Sequence, residues 1–257
     1  MKKIMIIAGA AILATATAAT VIEDQTAQTN DSYFEPDEVH LRMAPAELAI
    51  VRPTHFSQVQ DKIVHYHAND SLARTVGRNA SFREMMAEAN DCNFSRVILP
   101  PDAPSGGFDF LVTTSGHVRK NLREAIKNEL GYTARQETRD ADAFVLNVSN
   151  PSLPGLTVSA ADESEDMSYK DGRVYVTHQQ ISSLLDGLSM GLNQPVLDQT
   201  GLTNYYDFSF GWNDDIDKSM HAGTWHVDGV QKALAAWGLS LGATNIPLDM
   251  YVVTHAP

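Results

Sequence analysis

Apolar positions along this chain recur in short blocks that alternate between helical and strand-like spacing. Ser81-Phe82-Arg83-Glu84 has the form of a capping box, in which a serine oxygen and a glutamate three residues on satisfy free amides at a helix start. It predicts a helix running to about Asn90, with Arg96-Val97-Ile98-Leu99 as the strand that follows. Val118, Leu122, Ala125, Ile126 and Leu130 fall at helical spacing, and Gly131 supplies the left-handed residue that commonly ends a helix. Two strands are expected next, near 132–137 and 143–148, turned at Arg139-Asp140. Ile181, Leu184, Leu185, Leu188 and Leu192 mark one face of a third helix, capped at Thr177-His178-Gln179-Gln180 and ended by Pro195. Tyr206, Phe208, Phe210 and Trp212 alternate with Asp207, Ser209 and Gly211, the period of a strand with one aromatic buried face. A fourth helix carries Val230, Ala233, Leu234 and Trp237 between a cap at Asp228 and a stop at Gly238, and 250–253 closes the chain as a strand.

Strands that come in adjacent pairs favour antiparallel hairpins and exclude a doubly wound parallel sheet. The fold class predicted is therefore α+β, built from repeated units of a helix and an antiparallel strand pair, with the helices packed on small sheets. A Pro- and acid-rich stretch, 150–166, is expected to link a first half, 39–149, to a second half, 167–257. Units of this kind leave a sheet edge or a turn free to meet a partner, or else pack on each other and bind nothing.

The amino terminus changes the picture from architecture to address. Lys2 and Lys3 precede an apolar run from Ile4 to Leu13 and then small residues, Ala14-Thr15-Ala16 and Ala16-Thr17-Ala18, the form of a secretory signal peptide over 1–18. The run is about ten residues, against roughly 18 for a membrane-spanning helix, so no span is expected after cleavage. Residues 19–38 are polar and acidic without an apolar period and read as a flexible lead-in. The expected location is periplasmic or secreted. With the leader removed, the net charge of −13 becomes two units more negative, a surface that repels phosphate backbones, so nucleic acid is not expected as a partner.

A lone cysteine, Cys92, excludes an intramolecular disulfide, and Asp91 beside it disfavours a thiolate nucleophile. Asn-x-Ser sequons at Asn30, Asn69, Asn79, Asn93 and Asn147 read as chance behind a short dibasic leader of bacterial type. Gly187-Leu188-Ser189-Met190-Gly191 matches the nucleophile-elbow pattern of serine hydrolases, with Asp207, Asp228, Asp249, His221, His226 and His255 downstream. An elbow needs a strand before its serine, whereas the residues before Ser189 have helical period. His65-Tyr66-His67 places two imidazoles on one side of a strand, where they can hold zinc or copper with Asp70 or His40, or simply line a solvated face. The segment 213–217 starts like a calcium loop but has Lys218 where the tight turn needs glycine and Thr224 where a glutamate belongs. No phosphate-cradling loop is present, and no cofactor is expected.

One longer string is more specific. Gln194-Pro195-Val196-Leu197-Asp198-Gln199-Thr200-Gly201-Leu202-Thr203-Asn204-Tyr205-Tyr206-Asp207-Phe208, with Trp212, Trp237-Gly238-Leu239 and Val252-Val253-Thr254-His255, resembles the soil-bacterial exported proteins that carry domain of unknown function 3738. Weaker similarity runs back through 121–148 to about residue 40. Gln199 stands where a lysine is usual, and Glu129-Leu130-Gly131-Tyr132 where an arginine and a phenylalanine are usual, the marks of a divergent member. The resemblance brings no catalytic residues. The recurrence of such proteins beside membrane sensor peptidases of the beta-lactam-sensor type implies envelope signalling. The helix-and-hairpin units are also faintly similar to the docking domains at the amino termini of secretins and TonB-dependent receptors, an analogy of fold alone. The expectation that follows is a non-catalytic interaction or envelope-sensing module. It would meet an envelope protein or cell-wall component through a sheet edge or through Thr200, Gly201, Leu202, Tyr205 and Tyr206. The alternatives are a serine hydrolase using Ser189 and a metal-binding protein using His65 and His67.

Overall fold

A computed structural model describes residues 31–35, 48–57, 63–68, 72–113, 117–160, 164–170, 173–211 and 225–257. The expected signal peptide, most of the lead-in, Trp212 and the acidic segment 213–217 lie outside these. After a 3-10 turn at Asp31–Phe34 the elements are, in chain order, β1 (Ala49–Pro53), β2 (Ile63–Ala68), β3 (Leu72–Ser81), α1 (Phe82–Asn90), β4 (Val97–Ile98), β5 (Gly107–Val112), α2 (Val118–Leu130) and β6 (Tyr132–Val148). Then come β7 (Thr157–Val158), β8 (Asp166–Lys170), β9 (Arg173–Gln179), α3 (Ile181–Leu192), β10 (Val196–Asp198), β11 (Tyr206–Gly211), α4 (Val227–Ala236) and β12 (Leu239–His255). The fold is α+β, and among the described residues the strands form three four-stranded sheets ordered β1-β5-β3-β2, β10-β6-β12-β4 and β7-β11-β9-β8. No helix among the described residues is long and apolar enough to cross a membrane.

Contacts divide the chain into two compact units. One takes in the described residues up to Asp91 with Leu99–Ala134 and Val253–Pro257, and the other Cys92–Ile98 with Arg135–Val252.

In the first unit the capping box forms as the sequence predicts: Ser81 Oγ accepts from the Glu84 amide at 3.2 Å and Glu84 Oε2 accepts from the Ser81 amide at 2.6 Å. Helix α1 ends at a left-handed Asp91, and α2 at Gly131, whose φ of 75° needs no side chain to be accommodated. The sheet β1-β5-β3-β2 is antiparallel throughout. Both faces of β5 are buried. Phe108 meets Phe82 of α1, with ring centroids 6.0 Å apart. Leu111 joins Phe34, Ile50 and Val76 in a cluster over the other face. On the Phe108 face, Gly77 of β3 leaves room for Phe110, because a Cβ there would lie 2.0 Å from its ring.

Asp109, on the Leu111 side, is completely buried and holds four partners. Its carboxylate accepts from Thr54 Oγ1 at 2.7 Å, from the His55 amide at 2.8 Å and from the Asn79 amide at 3.0 Å, and lies 3.4 Å from Arg52 Nε. Arg52 also bonds Asp31 at 2.5 Å and stacks over the Phe34 ring at 4.1 Å, so one guanidinium ties the 3-10 turn to the sheet. Partial burial works against the Asp31 carboxylate, but hydrogen bonds from His55 and Arg52 and the Arg52 charge hold it below the usual carboxylate range. At the carboxyl end, His255 Nε2 meets Asp102 Oδ2 at 2.7 Å and its ring lies on Tyr132, with centroids 4.5 Å apart. The His255 hydrogen bond holds the Asp102 carboxyl below its ordinary value.

In the second unit, α3, α4 and strands of two sheets enclose Phe144, Leu146, Ile181, Leu188, Phe208 and Trp237 among others. Each large side chain fully withdrawn from water here contributes about 1.5–3 kcal/mol. The stretch expected as a linker begins inside this core: Leu156 is buried, and a Cβ at Gly155 would lie 2.1 Å from the Trp237 ring. Ser149 and Asn150 donate their amides to the Gly238 carbonyl. The two strands expected either side of Arg139-Asp140 are one continuous strand, β6. Neither residue there is a glycine or an asparagine suited to a reversed turn. Their polarity reflects a strand segment exposed to water rather than a break in it. The sheet β7-β11-β9-β8 is antiparallel. In the β6–β12 sheet the short strands β10 and β4 add in parallel. Helix α3 starts after Gln180, with no side chain capping it, and ends at a left-handed Asn193, two residues before Pro195. Helix α4 starts after His226, with Asp228 in its first turn rather than at its cap.

Candidate functional site

The signature string builds a rigid turn between β10 and β11. Asp198 Oδ1 accepts from both the amide and the hydroxyl of Thr200, at 2.8 and 2.7 Å, and Thr200 Oγ1 accepts from the Leu202 amide at 3.1 Å. These are the short side-chain-to-backbone bonds by which Asp and Thr organise turns. Gly201 supplies the left-handed residue, with φ of 68°, and Leu202 packs against the second unit's core. Tyr206 then enters that core.

Of the five residues expected to bind, Thr200, Gly201, Leu202 and Tyr206 are thus engaged in forming and anchoring the turn. Tyr205 is the large side chain it presents, 37% exposed and stacked on His178 with centroids 4.2 Å and planes 11° apart. His178 was read from the sequence only as part of a helix cap. It holds a left-handed backbone, φ 53°, at the end of β9. Its amide donates to Asp207 Oδ1 at 2.9 Å, and the Ser159 hydroxyl donates to the same oxygen at 2.5 Å. The Ser159 amide donates to the Tyr205 carbonyl at 3.0 Å. Pairing of β11 with β9 shifts register between Tyr206 and Phe208 at this point. A left-handed non-glycine residue beside a register shift stores strain, and such strain concentrates at functional sites. His178 Nδ1 is buried without a hydrogen-bond partner among the described residues. The available sequence signal was Asp207 itself, a carboxylate inside an aromatic strand.

Ser189 lies in the third turn of α3, 5% exposed, and its Oγ accepts from the Val196 amide at 3.0 Å. No strand leads into it and no elbow is formed. Asp207 is occupied as described, Asp249 Oδ1 accepts from Thr138, His255 belongs to the first unit, and His221 lies outside the described residues. Replacing Ser189 by alanine leaves the Val196 amide unpaired, with an expected cost of about 1–3 kcal/mol in urea unfolding. A fluorophosphonate probe, which labels activated serines, is expected to label neither form.

His65 has both ring nitrogens engaged, Nδ1 with Thr75 Oγ1 at 3.2 Å and Nε2 near Glu88 Oε2 at 3.5 Å. The His67 side chain, His40 and Asp70 lie outside the described residues. Among the described residues no group of three His, Cys, Asp or Glu is placed to hold a metal ion. A small cleft lined by Leu184, Leu188, Trp225, Val230, Ala233 and Leu234, with Trp237, presents only apolar surface.

The model of the family described as Protein of unknown function (DUF3738) matches residues 83–256, and the chain belongs to that family. No curated protein and no solved structure matches it.

Proposed function

We propose that the chain is an exported, non-catalytic interaction or envelope-sensing module, sent to the periplasm or beyond by the leader at 1–18. It docks an envelope protein or cell-wall component through the turn that carries Tyr205. The observation that supports this reading most is the effort spent on one exposed aromatic ring. Asp198, Thr200, Asp207 and Ser159 fix the backbone on either side of Tyr205, and His178 fixes its plane. A tyrosine held rigid loses little conformational entropy on binding, and tyrosine is among the residues that dominate interface energies. The net charge of −13 favours a partner that is not itself strongly acidic.

The test is recovery of a partner from envelope extract, after gentle cross-linking, with the wild-type chain and with Tyr205→Ala. The expected result is a specific partner recovered by the first and lost with the second, while circular dichroism shows both folded. Equal recovery by both forms would remove the turn from the account, and repeated failure of the wild type would remove docking.

A further inference from the structure

His255, the last residue of the signature string, lies in a segment, Val253–Pro257, that packs with the first unit although the rest of β12 belongs to the second. Three contacts fasten that segment, all to residues of the first unit. The Ala256 amide donates to the Gly131 carbonyl at 2.8 Å. His255 Nε2 meets Asp102 Oδ2 at 2.7 Å, and the imidazole lies over the Tyr132 ring, with centroids 4.5 Å and planes 31° apart. The receiving side is itself fixed. The Tyr132 hydroxyl donates to the Asp102 carbonyl at 3.1 Å, and the Tyr132 ring meets Phe82 edge-on with centroids 5.1 Å apart.

Two of the three contacts depend on the charge of one imidazole. Neutral His255, as the tautomer with a proton on Nε2, donates an ordinary hydrogen bond to the Asp102 carboxylate, while the imidazolium donates a charge-assisted one. The same proton sets a cation against the Tyr132 ring, an attraction that the neutral imidazole lacks. The two side chains of the pair are 62% and 64% exposed, so protons reach them without any unfolding. The titratable groups that touch His255 are Asp102, from the loop before β5, and Tyr132, at the start of β6, while the end of α2 contributes the Gly131 carbonyl. The His255 hydrogen bond, helped by the backbone amide of Asp102, holds the Asp102 carboxyl below its ordinary value, so it stays ionised throughout the range in which histidines titrate. Burial, with the Asp102 charge second, raises the Tyr132 phenol above its ordinary value, so Tyr132 stays neutral there. One proton therefore sets the strength of both contacts.

We infer that His255 and Asp102 form a pH-operated clasp, which holds the carboxyl-terminal segment tightly when His255 is protonated and loosens it when that proton leaves. Its contribution is present in mildly acid solution and is lost as the pH rises through the histidine range. It is lost again only when the pH falls far enough to protonate Asp102. The clasp lies within the first unit and makes no use of the Tyr205 turn, which belongs to the second.

Hydrogen exchange at the Ala256 amide reads the clasp directly. It is followed by NMR from about pH 5 to about pH 8, across the histidine range, and corrected for the intrinsic rate at each pH. The samples are the chain purified from cells expressing the full-length sequence, and its His255→Gln and Asp102→Asn variants. Wild-type protection is expected to be about three- to tenfold greater at the acid end, the combined worth of an exposed ion pair and an exposed cation over a ring. Both exchanges keep hydrogen-bonding groups but remove one charge of the pair, and should abolish most of that dependence. A pH effect on the whole fold would persist in both variants, so its disappearance locates the effect at the clasp. Wild-type protection that is equal at both ends or greater at the alkaline end, or a pH dependence that His255→Gln retains, would overturn the proposal.

Discussion

Replacing Asp109 by alanine is expected to destabilise the protein by about 3–5 kcal/mol, the loss typical when one member of a buried ion pair is removed. The carboxylate is wholly withdrawn from water and serves Thr54, His55, Asn79 and Arg52 together. Its removal strands two backbone amides, takes one of two acceptors from the Thr54 hydroxyl and one of two acidic neighbours from Arg52. The Asn79 amide belongs to a left-handed residue, φ 50°, where β3 shifts register against β5 between Gly77 and Ala80. That distortion persists because Asp109 over-determines it. Asp109→Asn retains one acceptor oxygen and should recover part of the loss. The checks are urea unfolding followed by circular dichroism and hydrogen exchange at the His55 and Asn79 amides, which should lose protection in the alanine variant. Wild-type protection at both would mean that the network is not what holds the bulge.

Trp237→Ala should cost a comparable amount, about 3–5 kcal/mol, as for other large aromatic truncations in cores. Trp237 ends α4, donates its amide to the Leu234 carbonyl, and packs its ring on Phe208 at 5.2 Å and on Gly155. Alanine leaves a cavity between the helix, an aromatic strand and the 150–156 segment, and the Gly155 backbone cannot follow a side chain that is gone. Met190→Ala, at a residue of α3 that is 54% exposed, is the control and should fall within about 0.5 kcal/mol of wild type. If Trp237→Ala were as mild as the control, the second unit's core would be centred elsewhere.

The elements that were legible in the sequence are those whose signals are local. The capping box at Ser81 and Glu84, the left-handed Gly131 and the alternation of Tyr206 and Phe208 each lie within a few residues of the structure they specify. Strand β6 was misread because its middle is exposed and polar, so it loses the apolar alternation by which a strand is recognised. The Asp109 network was invisible for a different reason. It joins residues 31, 52, 54, 55, 79 and 109, and no spacing rule connects a carboxylate to donors 30 or more positions away. The elbow pattern at Ser189 matched by composition while the surrounding period was helical, and the period describes where the serine stands.

The candidate site was half legible. The string around Thr200 was singled out as a unit, and its turn chemistry follows from an Asp and a Thr two residues apart. That Tyr205 is displayed with its ring held in one plane, between the buried Tyr206 and the exposed Asn204, depends on His178 and Ser159 arriving from β9 and from the strand end after β7.

The most direct measurement is site-specific photo-cross-linking in the expressing cell, with a photoreactive phenylalanine at position 205 and, separately, at position 190. Both positions are exposed and both lie in the second unit, so they differ mainly in whether they belong to the proposed surface. The account predicts a discrete adduct from position 205 that is absent from position 190. Adducts that are the same from both positions, or none from 205 while 190 gives one, would contradict docking through the Tyr205 turn.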